Sequence, residues 1–189
     1  MPSYTGVRPR VTVAFMALDR SRTLRGALAG AAAAAVWAVQ QPLDQRVFGV
    51  DYDDAELLGR LVTDGRAAYP VGLALHVANG ALFGAAFANA GRALPVPAVL
   101  RGPVAGLVEH LATWPGTAAL ARLYPDGSPP LWGSGRAFAQ ATWRHLLFGT
   151  VLGELERRLN PPDVEPSPID PAAAASNGHG SASYVVSLN

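Results

Sequence analysis

The sequence predicts an all-α protein: a four-helix transmembrane bundle built from a duplicated two-helix unit and followed by a disordered C-terminal tail. Three observations lead to this prediction. Half of the 189 residues are hydrophobic and only 15% are charged, against roughly 25% in a typical soluble domain. The few charges are separated by long apolar intervals. Two glycine-containing motifs recur, in the same order, in the two halves of the chain.

The two clearest predicted spans contain no Asp, Glu, Lys or Arg. They are the intervals Gly26–Leu43 and Ala67–Gly91, the second of which is 25 residues long. A helix needs about 20 apolar residues to cross a bilayer core, whereas a surface helix of a soluble domain needs a polar face. We therefore predict spans at 25–43 and 67–91. The first interval also fits a cleaved signal peptide, but its recurrence later in the chain favours a retained span.

Two further predicted spans, at 102–121 and 137–155, contain ionisable residues. Each charge at membrane depth costs about 2.5–3.5 kcal/mol on insertion scales, so such residues face protein and are candidate functional groups. The second span adds one histidine to these residues. The candidate intramembrane polar cluster therefore consists of His76, Glu109, His110, Arg144 and His145.

Counting the helical rise from the cytoplasmic end of each span places Glu109 and Arg144 at different depths in the membrane. The long arginine side chain can span much of that difference. We therefore predict that these two residues pair, either as a structural ion pair or as part of a proton or ion pathway. His76 is predicted to form an interhelical hydrogen bond with Gln40 or Gln41. The alternative for His76 and His145 is haem ligation, because the glycines four and eight residues after each histidine leave space beside a porphyrin.

The predicted duplication relates spans one and two to spans three and four. The pattern R-G-x-x-A-G occurs at 25–30 and 101–106, and H-x-x-x-G-x-x-x-G occurs at 76–84 and 145–153. Both halves would have the same orientation, as in a parallel repeat. In lipid, small residues four apart let helices approach closely, so the predicted packing residues are Gly26, Gly30, Gly80, Gly84, Gly102, Gly106, Gly149 and Gly153. A groove for a flat ligand is the alternative use of these glycines.

The other segments frame a membrane domain at 25–158. Residues 1–24 form a cytoplasmic N-terminal segment, and the proline-rich region 159–189 is the disordered tail. The acidic loop 44–66 contains a predicted short helix capped by Asp53 or Asp54. Four spans place both termini on one side, where nine arginines lie against five on the other. This excess indicates a multi-pass protein of the inner membrane with both termini in the cytoplasm.

Composition excludes several classes of function. The chain has no Cys, and its net charge of +1 indicates no nucleic-acid partner. It contains no phosphate-binding loop and no nucleophile or zinc-protease motif, and its acidic loop lacks the glycine and terminal glutamate of a calcium loop. We predict no catalytic residue, cofactor or metal, and no enzymatic activity. The expected partners are the lipid bilayer and a second copy of the chain, bound through the glycine faces.

The stretch His145–Gly153 is similar to helix ends in the YagU-type family of small bacterial inner-membrane proteins. This resemblance, extended over residues 25–158, implies a multi-pass membrane protein and carries no catalytic residues. Three functions remain open. The first is a structural or accessory membrane protein. The second is a small permeation protein for protons, ions or solutes that uses the polar cluster. The third is a haem-binding redox protein.

Overall fold

The computed structural model describes residues 19–119 and 131–161, and it is helical with no strand in these ranges. The all-α prediction is therefore confirmed for them. The predictions for residues 1–18 and 162–189 lie outside the described residues. The helices are α1 (Arg20–Phe48), α2 (Asp54–Arg60), α3 (Ala68–Ala90), α4 (Ala98–Thr113) and α5 (Gly135–Leu159), with short 3₁₀ turns at Gly65–Ala67, Gly91–Ala93 and Trp114–Gly116.

Side chains cap three of these helices. The Asp19 carboxylate accepts hydrogen bonds from the first turn of α1, and these bonds lower the pKa of Asp19. At the start of α2, Asp53 Oδ1 accepts from the Glu56 backbone N–H at 2.9 Å, which confirms one of the two predicted caps. Ser134 accepts from the Ala137 N–H at the start of α5. These caps satisfy amide groups that have no partner within the helix.

The four long helices lie side by side in the order α3, α1, α5, α4. The α1–α5 pair is antiparallel: Arg22 contacts Glu156 at one end, and Asp44 contacts Arg144 at the other. Within the described residues, α3 and α4 make few contacts with each other, although only the segment from Gly91 to Pro97 joins them. The row is therefore open between α3 and α4.

Glycines form the α1–α3 and α4–α5 crossings. At Gly30, a Cβ atom would collide with the carbonyl oxygen of Gly80 and lie 2.9 Å from the Gly84 Cα. At Gly102, a Cβ atom would collide with the carbonyl oxygen of Gly149 and lie 2.8 Å from the Gly153 Cα. Backbones meet at both crossings, as expected for small-residue packing. The eight predicted glycines all lie at these two crossings.

The two crossings do not reproduce the alignment of the sequence repeat. The motif aligns Gly26 with Gly102, but the contacts of Gly102 match those of Gly30, one helical turn further along. In a symmetric duplication, the contact between α1 and α5 would be repeated between α4 and α3. Those two helices make few contacts with each other. The described helices therefore pair as the predicted two-helix units without forming a symmetric duplication.

The third predicted span contains an interruption. Helix α4 stops at Thr113, eight residues before the predicted end at 121, and a 3₁₀ turn containing Pro115 follows. Proline lacks an N–H donor and its ring clashes with the preceding turn, so the regular α-helix is interrupted there, and helical residues follow again at 117–119. The 16 residues of α4 extend about 24 Å, and the residues 114–119 that follow lengthen this helical run beyond α4 itself.

One helical run in the described residues, Gly65–Ala93, is long and apolar enough to cross a membrane by length and composition. The other three long helices do not meet that test. Gln40, Gln41 and Pro42 reduce the apolar character of α1, α4 is short, and α5 carries charges along its length. The four-span arrangement is therefore not established by the helices alone.

Candidate binding cavity and buried arginine cluster

Arg144 is the centre of the most buried polar group among the described residues. Its side chain is fully buried, and its guanidinium binds Asp44 with two hydrogen bonds, from Nε at 2.7 Å and from Nη2 at 2.6 Å. Its Nη1 binds Asp54 at the start of α2. The arginine also lies 4.5 Å from the centre of the Tyr52 ring. We call Arg144, Asp44, Asp54 and Tyr52 the arginine cluster.

Neutral side chains compensate the second negative charge in this cluster. Asp44 accepts hydrogen bonds from the amide nitrogens of Gln40 and Gln140, and Asp54 accepts from Trp37 Nε1 at 3.1 Å. Asp44 is buried and Asp54 is about a quarter exposed, and two such carboxylates around one arginine are stable only when donors of this kind satisfy the remaining lone pairs. Burial raises the pKa of the neighbouring Tyr52 phenol, so this residue stays uncharged.

The arginine cluster corrects two sequence predictions. Arg144 pairs with Asp44 and Asp54 and not with Glu109. Gln40 and Gln41 likewise bind Asp44 and the backbone of Asp54, and neither binds His76. Depth counting placed these residues correctly along the bundle axis, but it carried no information about which helices are neighbours. Helix α5 lies against α1, so Arg144 reaches carboxylates that sequence analysis had assigned to an outer loop.

A cavity of about 400 Å³ lies next to the arginine cluster. It occupies the opening between α3 and α4, and side chains of α1, α2 and α5 complete its wall. Its volume lies within the range of small-molecule sites. Four of the five predicted polar residues line it, namely His76, Glu109, His110 and His145. The fifth, Arg144, packs behind the wall and holds Asp54, which also lines the cavity.

Glu109, His145 and His110 form a connected group on one side of the cavity. Glu109 Oε2 lies 2.7 Å from His145 Nε2, while His145 Nδ1 lies 2.7 Å from the carbonyl oxygen of Ala141. His110 is buried against the His145 ring at 4.7 Å, and its Nε2 lies 3.0 Å from the Thr142 hydroxyl. Both ring nitrogens of His145 therefore have a partner. Glu109 is paired with His145, a side chain that can carry a positive charge, and not with Arg144.

His76 differs from the other two histidines because part of its side chain has no partner. The residue is only 9% exposed, it lines the cavity, and its Nε2 is buried without a hydrogen bond. An unsatisfied buried polar atom costs free energy, and because Nε2 itself is closed to solvent, a molecule in the cavity would bind it after a small movement of the ring. Sequence analysis selected His76, although for a hydrogen bond that the structure does not contain.

The histidines are not arranged as haem ligands. The Trp37 ring contacts both His76, at 5.1 Å between ring centres, and His145, at 4.8 Å, which fills the space beside them. His145 Nε2 is also occupied by Glu109. Across residues 19–119 and 131–161, no group of three or more His, Cys, Asp or Glu side chains is placed to hold a metal ion.

Aromatic and aliphatic side chains form the rest of the cavity wall. Phe83 and Phe148 contact each other at 5.6 Å between ring centres and belong to the apolar core that fills the glycine-packed half of the bundle. Leu57 of α2 and Leu61, the residue after α2, lie on the opposite side of the cavity, where Leu61 is exposed. The cavity is thus mainly apolar, closed towards the glycine crossings, and provided with a few convergent polar atoms.

The described residues define an all-helical protein in which a cavity with histidine and carboxylate groups lies between packed helices. Comparison of the chain with protein-family models, with curated proteins and with solved structures gives no match.

Proposed function

We propose that the chain is a multi-pass membrane protein that binds a small, mostly apolar solute with one hydrogen-bonding group in the cavity. The membrane location and the solute are two separate parts of this proposal. The first rests on the distribution of side chains over the helix faces. The second rests on the unpartnered His76 nitrogen in the cavity wall.

The distribution of residues on α1 supports a lipid environment. Large aliphatic side chains form a stripe along its outer face and are between 63 and 81% exposed: Leu24, Leu28, Val39, Leu43 and Val47. Its buried face carries small and polar residues instead: Gly26, Ala29, Gly30, Ala33, Ala34, Trp37, Gln41 and Asp44. Water would favour the opposite arrangement, whereas a bilayer favours apolar side chains outside and polar groups against protein.

The other long helices show the same exposed apolar residues. Large hydrophobic side chains point outward from α3, α4 and α5, among them Leu82, Val99, Val108, Leu111 and Trp143. Scattered exposed apolar residues are normal in soluble proteins, but a continuous apolar surface marks a lipid or protein interface. Among the described helices only α3 passes a test of span length and composition, while the most buried charges of α1 and α5, those of Asp44 and Arg144, are paired with each other inside the protein.

The cavity supports solute binding over the other functions considered. A structural protein needs the glycine crossings but has no need of a cavity with an unsatisfied nitrogen. A pathway for protons or ions needs polar groups across the whole bundle, whereas Phe83, Phe148 and the core beneath them separate the cavity from the glycine-packed end. A solute that fits between α3 and α4 would replace water at apolar walls and hydrogen-bond to His76.

Cysteine labelling tests the membrane location, since no native Cys competes. A membrane-impermeant maleimide added to intact cells is expected to label Asp64→Cys and to leave Glu165→Cys unlabelled until the cells are permeabilised. Val39→Cys is expected to stay unlabelled in both conditions, although this position is 81% exposed, because lipid covers it. Labelling of Val39→Cys as fast as Asp64→Cys would contradict a lipid-facing α1, and labelling of Glu165→Cys in intact cells would contradict the topology.

Bromine quenching of tryptophan fluorescence tests the cavity, since Trp37 and Trp114 line it. The purified protein in detergent is titrated with 4-bromophenol, which has one hydroxyl group, and with bromobenzene, which has none. We expect 4-bromophenol to quench at lower concentration, and His76→Leu to reduce that preference about fivefold, the value of one net hydrogen bond. The matched control Tyr69→Leu replaces an exposed aromatic residue on the same helix. Equal quenching by both compounds in the unmodified protein would refute a polar cavity site.

A further inference from the structure

A second, smaller cavity of about 70 Å³ lies at the end of the bundle opposite to the arginine cluster. The end of α3, the start of α4 and the end of α5 meet there, next to the segment that joins α3 to α4. Its charged wall consists of Arg92, Arg101, Glu156 and Arg157. We call this cavity the basic pocket.

Two arginines of the basic pocket have no carboxylate partner among the described residues. Arg101 Nε is buried and forms no hydrogen bond. Arg92 donates only to backbone carbonyls, the nearer being that of Asn160 at 3.2 Å. The carboxylate of Glu156 is already bound by Arg22 at 2.7 Å. Positive charge is therefore left over in this pocket, whose Arg101 is partly buried and whose Arg92 is exposed to solvent.

Arg157 contributes less to this excess, because Glu154 binds it at 2.8 Å. The start of α4 adds a further positive element. Ala98, the first residue of α4, lines the pocket, and no side chain caps this helix, whose preceding residue is Pro97. The free N–H groups of a helix start carry partial positive charge and bind anions.

We propose that the basic pocket binds a phosphate group. The unpaired Arg101 and Arg92 supply guanidinium donors, which match phosphate oxygens better than any other side chain, and the start of α4 supplies backbone donors. The volume suits one small oxyanion and excludes a large polyanion. The phosphate belongs either to an anionic lipid head group or to a soluble ion. The lipid source rests on the proposed membrane location, whereas the soluble source does not.

Calorimetric titration of the full chain in a neutral detergent tests the proposal. The two probes are short-chain phosphatidylglycerol and inorganic phosphate, with short-chain phosphatidylcholine as the lipid without net charge. We expect saturable binding that weakens about tenfold or more in Arg101→Gln, since charged hydrogen bonds are lost. Arg92→Gln provides a second variant if Arg101→Gln does not fold. The matched control is Arg46→Gln. It removes an exposed arginine in the last turn of α1, at the end of the bundle that carries the arginine cluster.

Each result separates the alternatives. Preference for phosphatidylglycerol over inorganic phosphate, lost in either pocket variant and kept in Arg46→Gln, supports a lipid head group. Equal binding of both probes with the same variant pattern supports a soluble phosphate. Absence of saturable binding, equal binding of phosphatidylcholine, or equal losses in Arg46→Gln and Arg101→Gln would overturn the proposal. None of these results depends on the cavity between α3 and α4.

Discussion

Replacement of Arg144 by Met is expected to destabilise the protein by about 3–5 kcal/mol, the cost of leaving buried charge without its partner. The methionine fills similar space, so the loss is electrostatic. Asp44 is almost completely buried and would keep only the hydrogen bonds from Gln40 and Gln140. Unfolding of the purified protein in detergent, followed by helical circular dichroism, measures the change.

Two matched variants separate charge burial from loss of packing. The triple variant Asp44→Asn, Asp54→Asn, Arg144→Met removes every charge of the cluster and is expected to recover most of the stability. Arg60→Met breaks the exposed ion pair with Glu56 and is expected to cost less than about 1 kcal/mol. A cost for Arg144→Met as small as that for Arg60→Met would show that the cluster contributes little.

Gly30→Val is expected to destabilise the protein by about 3 kcal/mol, because the valine side chain has no space at the α1–α3 crossing. Its Cβ would meet the backbone of Gly80 and Gly84, and backbone cannot move aside as a flexible side chain can. The two helices must then separate, which also removes the contacts of neighbouring alanines. The same detergent unfolding measurement applies.

The control for this prediction is Gly135→Ala, at the first residue of α5. No atom lies within 4 Å of a Cβ built at Gly135, so the added methyl group meets open space. Alanine also favours the helix, and we expect no loss of stability. If Gly30→Val were tolerated as well as Gly135→Ala, close backbone approach would not hold α1 to α3.

Charge-free intervals and local motifs predicted the helices well, because those signals are encoded locally. The interval 67–91 coincides with α3 to within one residue at each end, and Asp53 caps α2 through its own side chain. The predicted glycines meet at the crossings for the same reason: residues four apart share a helix face whatever the neighbour is. The third span is interrupted by the 3₁₀ turn that contains Pro115, an effect of proline that was also visible in the sequence.

Pairing between helices was not predictable from depth alone. Asp44 served only as the boundary of a charge-free interval, yet it lies on the face of α1 that carries Gly30, Trp37 and Gln41. Successive members of this series are separated by seven, four and three residues, which places them on one helix face. This spacing was the signal in the sequence that Asp44 is a buried carboxylate. The contact of α1 with α5 depends on the order of helices in the bundle, which no local pattern in a single sequence specifies. The open side between α3 and α4, and with it the cavity, follows from that same order.

The arginine cluster joins residues that are 90 and 100 positions apart, and this separation bears on biosynthesis. The ribosome delivers Asp44 and Asp54 long before Arg144, so the nascent chain carries two acidic groups whose cation does not yet exist. These two carboxylates therefore cannot gain their ion pairs with Arg144 until α5 has been synthesised. Docking of α5 supplies Arg144, which links Asp44 of α1 to Asp54 at the start of α2. The arginine cluster can therefore form only after α5 has been made, and not when α1 and α2 first fold.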